Sequence, residues 1–77
     1  MEKTLDGFTL GQAGKVKKIT ATGAIRRRLY DMGITPSAEV KLEKFAPLGD
    51  PMQIRVRGYA LTLRKAEAKS VLVEVKD

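Results

Sequence analysis

Apolar and polar side chains alternate along most of the second half of the chain. The alternating apolar positions are Val40 and Leu42, then Met52, Ile54 and Val56, then Leu61 and Leu63, and finally Val71, Val73 and Val75. Such alternation is typical of antiparallel strands that bury one face and solvate the other. Segment 14–19 is also strand-like, but lysines interrupt its alternation, so we expect a bulge or an edge position there. The pattern predicts about five strands.

A tight turn joins two of these predicted strands. Gly58 and Tyr59 suit a two-residue hairpin turn with glycine first, which is the type II′ arrangement. In that register Val56 pairs with Leu61, and the apolar side chains of both strands share one face. The turn and the alternation therefore predict the same hairpin.

One segment, at about 22–32, has a helical period instead. The apolar positions that would share one face of this helix are Ala24, Ile25, Leu29 and Met32. Gly33 suits the left-handed conformation that ends a helix, and Pro36 prevents its continuation. We expect Leu29 to be buried. A second, short helical turn is expected at about 64–69 because that segment is rich in helix-forming residues.

These elements have to share one core, because a chain of 77 residues is too short for two. A small sheet protects its edges by bending strongly or closing. The sequence therefore predicts a single domain, 1–77, that is mainly β: a small, partly open SH3-like barrel with one inserted helix. An OB-fold is the alternative.

The charge and the missing residue types narrow the function. Fifteen Lys and Arg residues against nine Asp and Glu residues give a net charge of +6, which favours an anionic partner: nucleic acid, a membrane surface or an acidic protein. The chain has no cysteine and no histidine. The commonest general base and the commonest transition-metal ligands are therefore absent. We expect no catalytic residue, no metal site and no cofactor.

The distribution of carboxylates and apolar runs supports these expectations. Glu39 and Glu43 are the closest carboxylates on one predicted strand, and they lie about 13 Å apart, too far to share a metal ion. The first residues do not resemble a signal peptide. No apolar run approaches the roughly 20 residues of a membrane span. We therefore expect a cytoplasmic protein.

A loop between two predicted strands is the first candidate binding site. It consists of Pro47, Leu48, Gly49, Asp50 and Pro51. The two prolines stiffen the loop, and an ordered loop loses less entropy when it binds a partner. Leu48 at its tip has two interpretations: it plugs the mouth of the barrel, or it is an exposed anchor for a protein partner.

Arginines form the second set of candidates. Arg26 and Arg27 point away from the apolar helix face, and they are either a solvated surface or an anion-binding edge. Arg55 and Arg57 lie on the polar face of the sheet near Lys41. There Glu39 and Glu43 can neutralise part of the arginine charge across strands. Arg64 can join this basic group. Phe45 is the aromatic residue expected to face outward with it. The candidate partner-binding residues are therefore loop 47–51, Arg26, Arg27, Arg55 and Arg57.

Three segments resemble the FeoA family. They are Arg-Arg-Leu-Tyr-Asp-Met-Gly-Ile-Thr-Pro at 27–36, Ala-Pro-Leu-Gly-Asp-Pro at 46–51, and Arg-Gly-Tyr-Ala-Leu-Thr-Leu-Arg at 57–64 with Glu67 and Ala68. The resemblance runs from about Thr4 to Val75. It implies a small cytoplasmic SH3-like protein that assists or regulates bacterial ferrous iron uptake by docking on the cytosolic GTP-binding domain of the ferrous iron permease. A nucleic-acid-binding barrel that uses the basic surface is the alternative.

Overall fold

The strands of this protein form one open antiparallel sheet. The computed structural model describes residues 1–76, and its elements in chain order are β1 (Glu2–Thr4), a 3₁₀ turn (Leu5–Gly7), β2 (Ala13–Ile19), α1 (Gly23–Asp31), β3 (Glu39–Phe45), β4 (Met52–Val56), β5 (Tyr59–Leu63), α2 (Lys65–Ala68) and β6 (Val71–Val75). The strand order in the sheet is β1-β6-β2-β3-β4-β5. β1 and β5 are therefore its two edges.

The structure differs from the prediction in two respects: the sheet has six strands, and β2 does not lie at its edge. The sixth strand, β1, was not predicted because its three residues, Glu2–Thr4, carry no apolar alternation. The bulge expected near 14–19 is confirmed, since the register of β2 shifts between Val16 and Lys18. The expected edge position is wrong, because β2 pairs with β6 on one side and β3 on the other.

The core lies on the inner face of the sheet. Every alternating apolar position of β3, β4 and β6 is buried, and Leu29, Ile34, Leu5 and Phe8 complete the packing from outside these strands. Within residues 1–76 no polar or charged residue is buried. The folding free energy therefore comes mainly from apolar burial.

The β4–β5 hairpin differs from the predicted one by its turn. Arg57 and Gly58 occupy the turn, with φ of 51° and 88°, so it is of type I′. Val56 pairs with Tyr59 rather than with Leu61. The pairing has moved by two residues, which leaves the same side chains on the inner face.

Contacts outside the hairpin explain this turn. The Arg57 side chain donates from Nε to the Gly33 carbonyl oxygen at 3.2 Å and from a terminal nitrogen to Thr35 Oγ1 at 2.6 Å. These bonds hold a non-glycine residue in the left-handed region, which such residues seldom occupy. The register therefore depends on the segment that follows α1.

Helix α1 has the predicted bounds but not the predicted buried face. Thr22 precedes it and Met32 caps it, and Gly33 has a φ of 91°, as expected. Leu29 is fully buried, whereas Ile25 is 46% exposed and Ala24 is exposed as well. The expected apolar face is wrong for these two residues because only the last turn of α1 lies against the core.

Candidate protein-docking surface

Residues 46–51 form a loop that is closed by its own main chain. The Ala46 N–H donates to the Pro51 carbonyl oxygen at 2.9 Å, and the Gly49 N–H donates to the Ala46 carbonyl oxygen at 2.7 Å. The Asp50 carboxylate accepts the main-chain N–H of Lys65, at the start of α2, at 2.9 Å. The peptide bond between Asp50 and Pro51 is cis. The loop is thus bonded both across its neck and to a neighbouring element.

Leu48 lies at the tip of this loop and is 96% exposed. The interpretation of Leu48 as a plug for the barrel is therefore wrong. A single exposed leucine is common on protein surfaces. Here, however, hydrogen bonds restrain the backbone of the loop that carries Leu48, so little backbone entropy is lost when it binds.

Arg28 of α1 lines the same groove as the loop residues Asp50 and Pro51. Its Nε lies 3.1 Å from Oε2 of Glu67 in α2. An open groove of about 410 Å³ lies between α1, α2, β5 and the loop. Its lining residues are Arg28, Asp50, Pro51, Thr62, Leu63, Arg64 and Glu67. Arg26 and Arg27 do not line this groove.

Arg26 and Arg27 are exposed on the part of α1 that does not contact the core. The Arg26 guanidinium lies 5.3 Å from the centre of the Tyr30 ring and donates to its hydroxyl at 3.3 Å. The Arg27 side chain forms no hydrogen bond or ion pair within residues 1–76. Arg26, Arg27 and the exposed Ile25 thus form a surface on the first two turns of α1 that is cationic and includes one apolar side chain.

Arg55 is bonded within the sheet. Its Nε donates to Oε2 of Glu43 at 2.7 Å, and a terminal nitrogen donates to the Gly58 carbonyl oxygen at 3.1 Å. Hydrogen bonds from Arg55 and then from Gln53 lower the pKa of the Glu43 carboxyl below its usual value. The expected cross-strand neutralisation is confirmed for Glu43. Glu43 compensates the charge of Arg55, so less of that charge is available to a ligand, whereas Arg57 bonds only to neutral oxygens.

The predicted basic group on the sheet is divided between two places. Lys41 lies opposite Arg55 in the register of β3 and β4. Both residues line an open groove of about 490 Å³ together with Arg57, Lys76 and Glu39. Arg64 lies elsewhere, in the groove beside Arg28.

One aromatic residue, Phe45, does not lie on the face that strand alternation predicts. A register shift between Leu42 and Lys44 turns Phe45 inward, where it is partly buried against the core. Its ring lies 5.3 Å from Nζ of Lys65 instead of facing outward with Lys41. The outward orientation predicted for Phe45 is therefore wrong. Strand alternation alone cannot locate such a bulge.

Residues 1–76 contain neither a cluster of metal-ligating side chains nor a helix that could span a membrane. Across residues 1–76, no three His, Cys, Asp or Glu side chains are grouped closely enough to hold a metal ion. No helix in that part of the chain has both the length and the apolar character needed to span a bilayer.

Comparison with known proteins identifies the family. The FeoA domain family matches residues 3–75 of this chain. The chain belongs to the FeoA family. A FeoA-like protein from Clostridium acetobutylicum, solved by NMR, is 43% identical, with a TM-score of 0.90 over 96% of this chain and 86% of that one.

A second FeoA structure supports the fold description. FeoA from Stenotrophomonas maltophilia, complexed with zinc, is 32% identical, with a TM-score of 0.81 over 94% of this chain and 89% of that one. That protein is a prokaryotic SH3 domain protein and a candidate activating factor of bacterial ferrous iron transport. The mainly β, SH3-like fold predicted from the sequence is confirmed, with six strands instead of about five.

A curated relative connects the family to a transporter. A fusion of Fe(2+) transport protein A with the Fe(2+) transporter FeoB, from Porphyromonas gingivalis, is 28% identical over 65 residues. The match covers 84% of this chain but only 8% of the fusion protein. The FeoA family, to which this chain belongs, is thus linked to ferrous iron transport.

Proposed function

We propose that this FeoA domain is a non-enzymatic accessory or regulatory protein of bacterial ferrous iron uptake. It acts in the cytoplasm by docking on the cytosolic GTP-binding part of the ferrous iron permease. Family membership and the Porphyromonas gingivalis fusion support the permease as the partner, because a related domain and the transporter FeoB share one chain there. The basic balance of the chain suits an acidic partner surface.

The observation that carries the docking proposal is the exposed Leu48 on its closed loop. Most of the binding energy of a protein interface comes from a few well-packed anchor residues. Leu48 is 96% exposed, and the bonds at Ala46 and Asp50 fix the loop that presents it. In the proposed complex, Leu48 fills an apolar pocket of the permease domain.

The exposed arginines of α1 have a different part in this proposal. Charges at the rim of an interface affect the association rate and the choice of partner more than the final affinity. Arg26 and Arg27 are available for this because neither forms an ion pair within residues 1–76. Arg55 is already paired with Glu43 and contributes little to this attraction, whereas Arg57 bonds only to neutral oxygens and keeps its charge.

Leu48→Asp tests the proposal, and Leu10→Asp is its matched control because Leu10 is also exposed, at 64%, in another loop. Affinity for the cytosolic domain of the permease is measured by calorimetry, with and without guanine nucleotide. We expect Leu48→Asp to weaken binding by at least about tenfold, and Leu10→Asp to change it by less than about twofold. Both variants should melt close to the wild type. Wild-type affinity of Leu48→Asp, or equal loss in both variants, would overturn the proposal.

Salt dependence distinguishes the docking module from a nucleic-acid-binding barrel. Arg26→Glu combined with Arg27→Glu should slow association with the permease domain and flatten its dependence on salt. Binding to single-stranded DNA, measured from low to physiological salt, should be weak and lost steeply as salt rises. Tight DNA binding at physiological salt, with no binding to the permease domain, would favour the nucleic-acid function instead.

A further inference from the structure

The two edges of the sheet differ in how they are protected. Edge strands commonly carry charges, prolines or bulges, or are very short, and these features prevent pairing with other chains. β1 has three residues, two of them the charged Glu2 and Lys3. β5 has five residues, Tyr59–Leu63, with no charge, no proline and an unbroken register against β4. The β5 edge therefore has none of these protective features.

The hairpin turn determines which main-chain groups of β5 face outward. In a two-residue hairpin the residues that flank the turn form a hydrogen-bonded pair, and such pairs recur at every second residue. Tyr59 flanks the turn, so the N–H and C=O groups of Ala60 and Thr62 point away from β4. Within residues 1–76 these outward groups have no hydrogen-bond partner, and both residues are exposed.

A groove runs beside this edge. Thr62 and Leu63 line it together with Arg28 of α1 and with Arg64, and its volume is about 410 Å³. At the other end of the strand the Tyr59 hydroxyl is bonded to α1 at Met32. Extended peptides in other proteins bind in such a place, where they add a strand to an exposed sheet edge.

The charges near the edge indicate which extended segment fits. Arg57 precedes β5 and Arg64 follows it, and Arg64 forms no ion pair within residues 1–76. The carboxylates nearby, Asp50 and Glu67, already accept hydrogen bonds from main-chain N–H groups of this chain. Arginine at both ends of the strand favours a ligand with acidic residues at its ends.

A second copy of this chain fits the same edge poorly. Antiparallel pairing of two β5 strands with Ala60 of one copy opposite Thr62 of the other would place Arg57 opposite Lys65, next to Arg64, at both ends of the new pair. Like charges directly opposite each other destabilise a strand pair. The net charge of +6 on each copy adds to this repulsion.

We propose that the β5 edge binds an extended acidic segment of a partner protein by strand addition. The main chain of that segment pairs with Ala60 and Thr62, and its carboxylates lie against Arg57 and Arg64. This surface is distinct from Leu48, and the proposal does not require the partner to be the permease.

The test uses the synthetic peptide acetyl-Glu-Val-Thr-Val-Thr-Val-Glu-amide as the probe and the same peptide with both Glu replaced by Lys as its control. Binding to the ¹⁵N-labelled protein is followed by amide chemical shifts at increasing peptide concentration. We expect the acidic peptide to shift the amides of Ala60 and Thr62 most strongly, and the lysine peptide to bind at least about tenfold more weakly.

Thr62→Pro tests the main-chain pairing, because it removes an outward N–H without removing a bond to β4. Its control is Thr62→Ala, which keeps that N–H. We expect Thr62→Pro to weaken binding of the acidic peptide at least about tenfold, and Thr62→Ala and Leu48→Asp to leave it within about twofold. If Thr62→Pro does not fold, Arg64→Glu replaces it as the test variant, and we expect it to weaken binding of the acidic peptide at least about tenfold.

Three outcomes would overturn the proposal. They are equal binding of the two peptides, shifts centred away from β5, and wild-type affinity of folded Thr62→Pro. Concentration-dependent shifts of Ala60 and Thr62 without peptide would indicate that a second copy occupies the edge, and would overturn the choice of an acidic partner. Loss of peptide binding in Leu48→Asp would contradict the separation of the two surfaces.

Discussion

The hydroxyl of Tyr59 donates a 2.5 Å hydrogen bond to the carbonyl oxygen of Met32, the residue that caps α1. This bond joins the first residue of β5 to the end of the helix. It also passes close to Gly33, where an added Cβ would lie 2.6 Å from the Tyr59 hydroxyl oxygen. Glycine is therefore favoured at position 33 by its φ of 91° and by the approach of Tyr59.

Gly33→Ala should lower the free energy of unfolding by about 1–3 kcal/mol through backbone strain, and further through the clash with Tyr59. Tyr59→Phe removes the hydroxyl and should cost about 0.5–1.5 kcal/mol. Because the clash disappears with the hydroxyl, the two changes should not be additive. Urea unfolding of both single variants and the double variant measures the coupling, expected at about 0.5 kcal/mol or more.

The control for this cycle is Gly11→Ala. Gly11 has a φ of +83°, but an added Cβ there meets no atom within 4 Å, so this variant carries the backbone strain alone. It should destabilise the protein less than Gly33→Ala, and its effect should be the same with and without Tyr59→Phe. Additive effects of Gly33→Ala and Tyr59→Phe would mean that Tyr59 does not restrict position 33.

Leu29→Ala should lower the free energy of unfolding by about 2–4 kcal/mol, because a fully buried side chain is lost and a cavity remains. Ile25→Ala is the matched control on the same helix, and because Ile25 is 46% exposed it should change stability by less than about 0.5 kcal/mol. Chemical denaturation provides both values. Similar losses for the two variants would show that α1 packs along its whole length.

Glu43 should make the protein less stable in acid. The hydrogen bond from Arg55 lowers its pKa in the folded state, whereas unfolding returns it to the ordinary value of about 4.3. The unfolded chain therefore binds the proton more readily, so this stabilisation is complete above the ordinary pKa and is lost as the pH falls through the folded pKa. Unfolding free energies measured from neutral pH down through this range should fall less steeply for Glu43→Gln than for the wild type.

Arg55→Gln should also make the unfolding free energy fall less steeply in acid, because it removes the hydrogen bond that is the main cause of the lowered Glu43 pKa. The Arg55 side chain is 48% exposed and the Glu43 side chain 24%, so solvent reaches both partners and added salt should weaken the effect. An unchanged acid slope in Glu43→Gln and Arg55→Gln would show that other carboxylates determine it.

The sequence predicted the features that depend on local patterns. Alternation located the buried residues of β3, β4 and β6, and the helical period located α1 and the buried Leu29. The hairpin register could not be predicted in this way, because the turn at Arg57 depends on bonds to Gly33 and Thr35, more than twenty positions away. The exposure of Ile25 could not be predicted either. A helical period of apolar residues shows which side chains share one face of the helix, but not how far the sheet extends beneath that face.

The candidate site was predictable to a similar degree. The composition of the loop indicated a stiff segment with Leu48 at its tip. Its outward direction depends on the bond between Asp50 and the main chain of Lys65, which no local pattern reveals. For the same reason the sequence did not single out Arg28, which lines a groove together with Asp50 and Pro51 of the loop.

Helix α1 packs on the core only near its C-terminal end, at Leu29. Its first residues form a short helix without a side-chain cap at Thr22, and such a helix has little stability of its own. This end should therefore open locally far more often than the whole domain unfolds, with its amide protons exchanging through fraying while the amides of the core exchange only through global opening. A partner that covers Ile25 and Arg27 would stop this fraying, so binding at α1 would be visible as new protection against solvent exchange even where the average structure does not change.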